Sequence, residues 1–407
     1  MKRSIIITFC MFLGLIALAQ LPELTVEQHL EDYDFAVKYI EDNYAGYFDK
    51  VVDSTRTNYD AMKKRLRDQV ASGERTCWDA VAEYTGWFND YHTGLCMNSV
   101  DNDGRIRPAT VKYRQQIPIY YNELMEEYNP QPMAVKVTPK TFLVRFPSCD
   151  GGISKEWIDG SINAFNESGC ENLILDIRGN SGGSDIYWIP YWRLLADHDG
   201  EICDLEFRNS AAYRDSLLQE LRTQNVPAEI IQGVQAVFPM LQSIKFVPGS
   251  IVRQFLVNLT DGQAFSFANL QNVLESLSHP ELMSGKNSLP VSEVNDAVRR
   301  AALIIDNTVA SSGEALVEIL KATSGRTTVY GRDNTMGCLD FSNCNMVAMP
   351  HCGIYVSVPM SRRIGLPETS IDATGIAPDV RIDLPLPARL TDNIDEWVIW
   401  VAEQLEK

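Results

Sequence analysis

The sequence predicts an α/β protein that has a helical N-terminal domain and a helical insertion in its core. Apolar residues recur at helical spacing across residues 25–95, and strand and helix patterns alternate from residue 141 onward. Two further helical patterns interrupt this alternation within residues 200–290. Because a strand–helix–strand order favours parallel strands joined by right-handed crossovers, we expect a parallel sheet at the centre of the core.

The first 19 residues have the composition of a signal peptide. Two basic residues precede an apolar run over residues 5–18, and the Ala-Leu-Ala of residues 17–19 fits the small-x-small cleavage rule. We therefore expect an exported protein, periplasmic or secreted, whose mature chain starts at Gln20; an uncleaved anchor is the alternative. The apolar run is too short to span a bilayer comfortably, and no later stretch is long and apolar enough, so we expect no integral membrane span.

Composition and charge narrow the class of protein. The 407 residues suffice for two or three domains, and a hydrophobic content of 45% with a charged content of 22% is ordinary for a globular protein. The formal net charge of -18 argues against a nucleic-acid partner and provides no basic patch for anionic membranes. The oligomeric state does not follow from the sequence.

Eight cysteines remain once the predicted signal peptide is removed. They lie at positions 77, 96, 149, 170, 203, 338, 344 and 352. An even number in an exported protein permits disulfides, but eight cysteines allow 105 pairings. The last three crowd one segment and could form a hairpin bridge, but none has the CxxC spacing of a zinc site. The sequence therefore predicts no metal and no cofactor.

The expected elements follow in order along the chain. Residues 20–97 form the helical N-terminal domain, and residues 98–140 form a small mixed region of short strands and loops. The α/β core spans residues 141–390, with the helical insertion at about 200–290, and residues 391–407 form a C-terminal helix. We expect helices at 26–40, 59–70, 78–87, 154–167, 184–195, 211–223, 228–241 and 315–321. We expect core strands at 141–146, 172–177, 301–305, 327–331 and 354–358.

A serine in the strand-to-helix turn at residues 306–314 is the first candidate catalytic residue. Ser311 precedes a helix, where unpaired amides carry partial positive charge. A serine nucleophile and an oxyanion site would both profit from this position. Ser311 and Glu314 also match a capping box, the ordinary way to start a helix, and this is the structural alternative.

Three other segments are candidate partners for Ser311. A glycine-rich turn at 179–183 follows a predicted strand, and its glycines let backbone amides approach a ligand, although a tight strand–helix turn explains them equally well. His92 ends a helical region beside a glycine, where a lone histidine is usually structural. Asp372 lies in a loop before the final strand, and loops next to a rigid core often hold function.

Together these segments resemble the family of tail-specific (C-terminal processing) proteases, tricorn core proteases and retinoid-binding-protein-like modules. The marks of this family are DxHT, DxRGNxGG after a strand, T-x-x-S-x-x-E and a late G-I-x-P-D loop. All four occur here in that order between residues 90 and 380. The resemblance implies a Clp-protease/crotonase-like catalytic core and serine peptidase activity on peptides or unfolded proteins.

The resemblance also implies roles for single residues. Ser311 corresponds to the nucleophile. The backbone amide of Ser312 would be one oxyanion donor, and the amide of Gly182 or Gly183 would be the other.

The general base differs between the branches of the family. The tail-specific branch places a lysine where this chain has Cys338, so a serine–lysine pair is not expected. The tricorn-like branch uses a histidine and a carboxylate, which correspond here to His92 and to Asp372, where the family usually has glutamate. The short interval before residue 141 leaves no room for the PDZ domain of the tail-specific branch.

These observations predict an exported serine peptidase with a Ser-His-Asp site. The main alternative is a non-catalytic ligand- or peptide-binding module on the same fold, because a fold does not fix an activity. A different hydrolase or a crotonase-type acyl-CoA enzyme is a further alternative. Export argues against the latter, since acyl-CoA is mainly intracellular.

Overall fold

The computed structural model describes residues 22–96, 121, 124–223, 226–241, 244–249, 285–372 and 374–407. The predicted signal peptide, most of the predicted mixed region and residues 250–284 of the predicted insertion lie outside the described residues. No helix within the described ranges is long and apolar enough to cross a membrane.

Helices occupy the N-terminal part of the chain, the core crossovers, the insertion and the C-terminus. In chain order they are α1 (Val26–Asn43), α2 (Tyr47–Lys50), α3 (Asp53–Ala71), α4 (Cys77–Trp87), α5 (Lys155–Glu167), α6 (Ile189–Leu195), α7 (Ala211–Thr223), α8 (Ala228–Val237), α9 (Ser312–Thr323) and α10 (Glu396–Leu405). Short 3-10 turns precede α6 at Asp185–Tyr187 and follow α8 at Phe238–Leu241. The single helices predicted over 184–195 and 228–241 each divide in this way. A proline, Pro190 or Pro239, lies near each division and has no N–H to donate.

Strands form a central sheet, a second sheet and two short pairs. In chain order they are β1 (Gly94–Cys96), β2 (Glu127–Tyr128), β3 (Met133–Lys136), β4 (Thr141–Arg145), β5 (Asn172–Asp176), β6 (Gly200–Cys203), β7 (Leu205–Arg208), β8 (Phe246–Pro248), β9 (Lys286–Leu289), β10 (Arg300–Ile305), β11 (Thr327–Gly331), β12 (Phe341–Ala348), β13 (Tyr355–Arg363), β14 (Val380–Arg381) and β15 (Arg389–Leu390). The five predicted core strands are confirmed, and β13 extends well beyond its predicted end. The strands β6 to β9 in and around the insertion, and β12, were not predicted.

The central sheet has the strand order β14–β11–β10–β5–β4–β3. Adjacent strands from β14 to β4 are parallel, and β3 pairs antiparallel with β4. The register places Leu303 of β10 opposite Leu175 of β5. Every residue of β4 and β5 is buried, as expected of a parallel sheet that is covered on both faces. The predicted parallel sheet is confirmed, and the protein has a mixed α/β fold.

Helices cover both faces of the central sheet. On one face, α6 and α9 bring Tyr191 and Leu316 into the same apolar cluster as Leu175. On the other face, α10 contributes Trp397 to a cluster that includes Ile304. The carboxyl ends of neighbouring parallel strands meet at one edge of a sheet. The turns that follow β5 and β10 therefore lie side by side.

A buried cluster of two arginines and two aspartates fixes the end of β5. Arg178 donates hydrogen bonds to Asp176 and Asp395, both at 2.7 Å, and Arg145 bridges the same two carboxylates. Burial would raise the pKa of Asp176, but the neighbouring Arg178 and Arg145 lower it to about 2. Removing one member of a buried ion pair typically costs about 3–5 kcal/mol. This cluster therefore anchors α10 and the start of the glycine-rich turn.

The N-terminal helices share a core with the second sheet, in which β13 pairs with β1, β12 and β7. Helix α1 presents Tyr33, Val37 and Ile40 at helical spacing, and they join a cluster with Val356 and Val358 of β13. Strand β1 follows α4 closely, so its pairing with β13 fixes the segment between α4 and β1 against this core. The predicted N-terminal helices are confirmed, whereas the division of the chain into domains stays a prediction.

Candidate active site

Ser311 lies in the turn between β10 and α9, as the sequence predicts. Its backbone has φ 53° and ψ -123°, a region that a non-glycine residue enters at a cost of about 1–3 kcal/mol. The Ala310 N–H donates to the Asn180 carbonyl oxygen at 3.1 Å, and the Ser311 N–H donates to Glu314 Oε2 at 3.2 Å. The second bond belongs to the predicted helix start. Glu314 therefore supports the helix while the serine hydroxyl is available to another partner.

His92 reaches Ser311 from the segment between α4 and β1. The buried carboxylate of Asp90 accepts hydrogen bonds from the His92 N–H at 2.8 Å and from the Thr93 hydroxyl at 3.0 Å, which fixes the turn. His92 is 7% exposed, and its Nε2 lies 2.9 Å from Ser311 Oγ. The structure thus brings two predicted site residues, 219 positions apart in the chain, into hydrogen-bonding contact.

A thiol lies beside the other nitrogen of the His92 ring. Cys338 Sγ is 3.3 Å from Nδ1 and 3.8 Å from Nε2. The sequence singled out Cys338 as a possible member of a hairpin bridge and as the residue at the lysine position, and the contact with His92 was missed. The lysine position could have indicated this contact, because a residue that replaces the base of related chains is expected to face the serine.

Glu314 ties the serine turn to the segment that carries Cys338. Its buried carboxylate accepts four hydrogen bonds: from the Thr335 hydroxyl at 2.5 Å, from the amides of Gly337 and Cys338 at 2.8 Å each, and from the Ser311 amide at 3.2 Å. Burial raises the pKa of Glu314 to about 7, and these hydrogen bonds oppose a larger rise. One side chain therefore sets the positions of both Ser311 and Cys338.

Asp372 holds the backbone that follows Cys338. Its Oδ1 accepts hydrogen bonds from the amides of Leu339 and Asp340, both at 2.8 Å. Burial, together with the charges of neighbouring aspartates, raises the pKa of Asp372 well above its usual range. Among the described residues, these two amides rather than His92 are the hydrogen-bond partners of the carboxylate. The orienting role of Asp372 therefore stays a prediction.

The glycine-rich turn lies directly against the serine turn. Gly182 has φ 99°, and a Cβ added there would lie 2.7 Å from Ser311 Cβ and 2.9 Å from Ser312 N. Gly183 has φ 133°, and a Cβ added there would lie 2.0 Å from the carbonyl oxygen of Cys149. Both the backbone conformation and the close approach of the two turns therefore require glycine at these positions.

Hydrogen bonding distinguishes the predicted oxyanion donors. The Gly182 N–H donates to Asn180 Oδ1 at 3.0 Å and is thereby occupied. Within the part of the chain that the structure describes, the N–H groups of Gly183 and Ser312 have no hydrogen-bond acceptor. Ser312 is the first residue of α9, where helix amides are unpaired and carry partial positive charge. Of the two glycines that the sequence left open, hydrogen bonding favours Gly183.

Side chains spaced for a metal ion lie in a different part of the described chain. Asp32, Cys77 and Cys352 place their ligand atoms close together where α1 and α4 meet the turn between β12 and β13. At the serine, the His92 ring contacts the Ser311 hydroxyl and the Cys338 thiol. The two sets of residues are separate.

Comparison with solved structures finds a similar fold in several chains. A candidate peptidase from Parabacteroides merdae ATCC 43184 is 15% identical with a TM-score of 0.55, over 93% of this chain and 97% of the other. Mature CPAF is 13% identical with a TM-score of 0.53, over 88% and 92% of the two chains. Mature CPAF complexed with lactacystin is 15% identical with a TM-score of 0.52, over 94% and 98%. Identities at this level show a shared α/β fold alone.

A family comparison identifies the chain more closely. The model of peptidase family S41 matches residues 140–382, which is more than half of the 407 residues. The chain belongs to peptidase family S41, and the predicted family resemblance is confirmed. Membership of this family supports a peptidase and suggests peptides as substrates. No curated protein matches the chain.

Proposed function

We propose that this protein is a serine peptidase in which Ser311 is the nucleophile and His92 is the general base. The observation that carries the proposal is the 2.9 Å separation between His92 Nε2 and Ser311 Oγ, which is within reach of a direct proton transfer. A serine hydroxyl is a weak nucleophile without such a base. The strained backbone at Ser311 supports the same role, because such strain clusters at active sites.

The proposed reaction has two halves. Ser311 Oγ forms a bond to the carbonyl carbon of the peptide while its proton moves to His92 Nε2. The C–N bond then breaks, and the imidazolium gives that proton to the leaving amine. In the second half, water attacks the acyl ester as its proton moves to His92. The ester bond breaks, the acid product leaves, and the proton returns to Ser311.

The amides of Ser312 and Gly183 are the proposed oxyanion donors. Both N–H groups are unpaired within the described residues, and Ser312 adds the partial positive charge of the α9 N-terminus. Gly182, whose N–H is bound to Asn180, instead allows the two turns to approach each other closely. Losing one oxyanion donor typically costs about 3 kcal/mol of transition-state stabilisation.

Two residues are proposed to position the His92 ring. Cys338 Sγ, 3.3 Å from Nδ1, can accept a hydrogen bond from Nδ1–H and so favour the tautomer whose Nε2 lone pair faces Ser311. Asp372, the carboxylate that the family implies, is proposed to act through the backbone that it holds next to Cys338. Cys338 would then contact the base, and Asp372 would fix the position of Cys338.

The wider setting of the site is also part of the proposal. We propose that the central sheet and its helices form a Clp-protease/crotonase-like core. We further propose that the chain is exported by means of residues 1–19 and acts on peptides or unfolded proteins. The family and the acidic net charge support a peptide substrate rather than a nucleic acid.

Cleavage of an unstructured protein tests the roles of Ser311 and His92. Ser311→Ala and His92→Ala are each expected to lower kcat by a factor on the order of 10⁶ while circular dichroism stays unchanged. Ser292→Ala, at an exposed serine outside the site, is the matched control and should cleave like the wild type. Undiminished cleavage by Ser311→Ala would overturn the proposal. Peptide binding without cleavage by the wild type would favour a non-catalytic binding module instead.

Asp372→Asn separates the two ways in which Asp372 could act. Asparagine keeps an oxygen that can accept from the amides of Leu339 and Asp340, so a role through the backbone predicts a loss below about tenfold. A direct electrostatic role at His92 predicts a loss on the order of 10⁴ in kcat. The size of the loss decides between them.

A further inference from the structure

A buried group of metal-ligating side chains lies in the helical region, apart from Ser311. Asp32 belongs to α1, Cys77 is the first residue of α4, and Cys352 lies in the turn between β12 and β13. One ligand atom of each lies within 4.8 Å of the others, and all three residues are buried. His29, nearly one helical turn before Asp32, places its Nδ1 3.3 Å from Cys77 Sγ. We propose that these four side chains bind one zinc ion.

Two pairs of ligand atoms have the spacing of a tetrahedral zinc site. His29 lies outside the group whose ligand atoms are all within 4.8 Å of one another, so its ring would move to complete the tetrahedron. With Zn–S bonds of about 2.3 Å and Zn–N bonds of about 2.0–2.1 Å, neighbouring ligands stand about 3.5 Å apart. His29 Nδ1 and Cys77 Sγ are 3.3 Å apart, and Cys77 Sγ and Asp32 Oδ2 are 3.8 Å apart. The Cys77 N–H donates to His29 Nδ1 at 3.3 Å, so this nitrogen carries the lone pair, and zinc would replace the amide as its partner. The imidazole therefore already has the tautomer that a metal ligand needs.

The surroundings of Asp32 suit a carboxylate that ligates a metal. Its two oxygens accept hydrogen bonds from the amides of His351 at 2.9 Å and of Cys352 at 2.8 Å. These bonds fix the carboxylate and leave each oxygen a further lone pair. Among the described residues, no lysine or arginine forms an ion pair with Asp32, although its side chain is fully buried. A bound cation would supply the positive partner that a buried carboxylate requires.

Zinc binding leaves the protons and charges balanced. Cys77 and Cys352 are buried free thiols in the absence of the metal. Zinc forms one bond to each sulfur and displaces its proton to solvent. Two thiolates, one carboxylate and a neutral imidazole around a divalent ion leave a single net negative charge. The amides that donate to the Asp32 carboxylate stabilise part of that negative charge.

This site would join distant parts of the chain. It would tie α1 and α4 to the β12–β13 hairpin, and β13 pairs with β1, which follows His92. The sequence predicted no metal because the ligands share no short spacing: Cys77 and Cys352 lie 45 and 320 positions from Asp32. The proposal does not depend on the proposed peptidase activity.

Zinc content and cobalt spectroscopy of the purified protein test the site. The wild type should retain one zinc ion per chain after dialysis, as should Cys170→Ser, a control at a buried thiol elsewhere. Cys77→Ser and Cys352→Ser should bind zinc at least about tenfold more weakly. With Co²⁺ as the probe, the thiolate-to-metal charge-transfer band of the wild type should weaken in both variants. His29→Ala, which leaves the buried ligands in place, should weaken zinc binding but keep that band.

Two results would overturn this proposal. One is a disulfide between Cys77 and Cys352 in the wild type, detected as a cross-linked peptide by mass spectrometry. The other is the absence of stoichiometric zinc after dialysis of protein loaded with excess Zn²⁺. If the cysteine variants fail to fold, weaker zinc binding by folded His29→Ala still supports the site, and unchanged binding by that variant removes the imidazole from it.

Discussion

Replacing Glu314 with glutamine tests how the serine turn is held. In Glu314→Gln, an NH₂ group takes the place of one oxygen where four donors converge. At the Oε2 position it would face the amides of Ser311 and Cys338, and both would lose their acceptor. At the Oε1 position the Thr335 hydroxyl can rotate to accept from it, which costs that hydroxyl its own acceptor, and Gly337 is the one amide that loses its acceptor. The second orientation has the lower free-energy cost.

This orientation sets the expected loss of stability. A buried donor that is left without an acceptor costs about 1–3 kcal/mol. Protonated Glu314 avoids this cost, because its single O–H can donate to Thr335 while the same oxygen still accepts from Gly337. At acidic pH, Glu314→Gln should therefore lower the free energy of unfolding by about 1–3 kcal/mol.

The pKa of Glu314 determines how this loss changes with pH. Burial raises that pKa from 4.5 to about 7 in the folded protein. The folded state therefore binds the proton more tightly than the unfolded state, and the wild type loses stability as pH rises from about 4.5 to about 7. This shift corresponds to about 3 kcal/mol. Because glutamine does not titrate, the deficit of the variant should be largest near pH 4.5 and smaller by up to about 3 kcal/mol near pH 8.

Urea unfolding of both proteins at about pH 5 and about pH 8 measures the two deficits. Glu403→Gln, at an exposed glutamate of α10, is the matched control and should show little difference at either pH. If the loss of unfolding free energy in Glu314→Gln instead grows with pH, the raised pKa of Glu314 is refuted. Such a result would mean that the four donors hold the carboxylate ionised and lower its pKa.

Substitutions at three further positions test the contacts in and around the site. Gly182→Ala should lower kcat/KM at least about 100-fold, because the new Cβ would lie 2.7 Å from Ser311 Cβ; near wild-type activity would contradict the close approach of the two turns. Cys338→Ala should lower kcat with little change in KM and should shift the pH profile of kcat, since the thiol contacts His92. Cys338→Ser keeps an acceptor and should recover part of this loss; equal kinetic losses in the two variants would argue against a positioning role. Arg178→Met should lower the free energy of unfolding in urea by about 3–5 kcal/mol, because it leaves two buried aspartates short of a partner; a loss below about 1 kcal/mol would contradict that account.

The elements with a strong local pattern could be predicted from the sequence. The strand at Thr327–Gly331 and the helix at Ala211–Thr223 match their expected bounds. Strand Phe341–Ala348 was missed because most of its residues are partly or fully exposed, so it lacks a clear apolar alternation. This strand forms because it pairs with Tyr355–Arg363. The residues of a single short segment do not reveal such pairing.

The candidate site was accessible to sequence reasoning only through the joint motif pattern. No local pattern links His92 to Ser311 across 219 positions, and the family resemblance brought them together. The same resemblance gave Asp372 as the partner of His92 and marked Cys338 as the residue at the lysine position, but it did not show which groups these two side chains contact. The contact between Cys338 and His92 is a property of the folded chain, set by the hydrogen bonds of Glu314.

Covalent labelling by a fluorophosphonate tests the central claim most directly, because such a probe reacts with an activated serine hydroxyl. The account predicts that mass spectrometry finds a single adduct on Ser311 of the wild type. It further predicts that labelling is lost in Ser311→Ala and is strongly slowed in His92→Ala. Peptide cleavage by a wild-type protein whose Ser311 stays unlabelled, or an adduct on another residue that persists in Ser311→Ala, would contradict it.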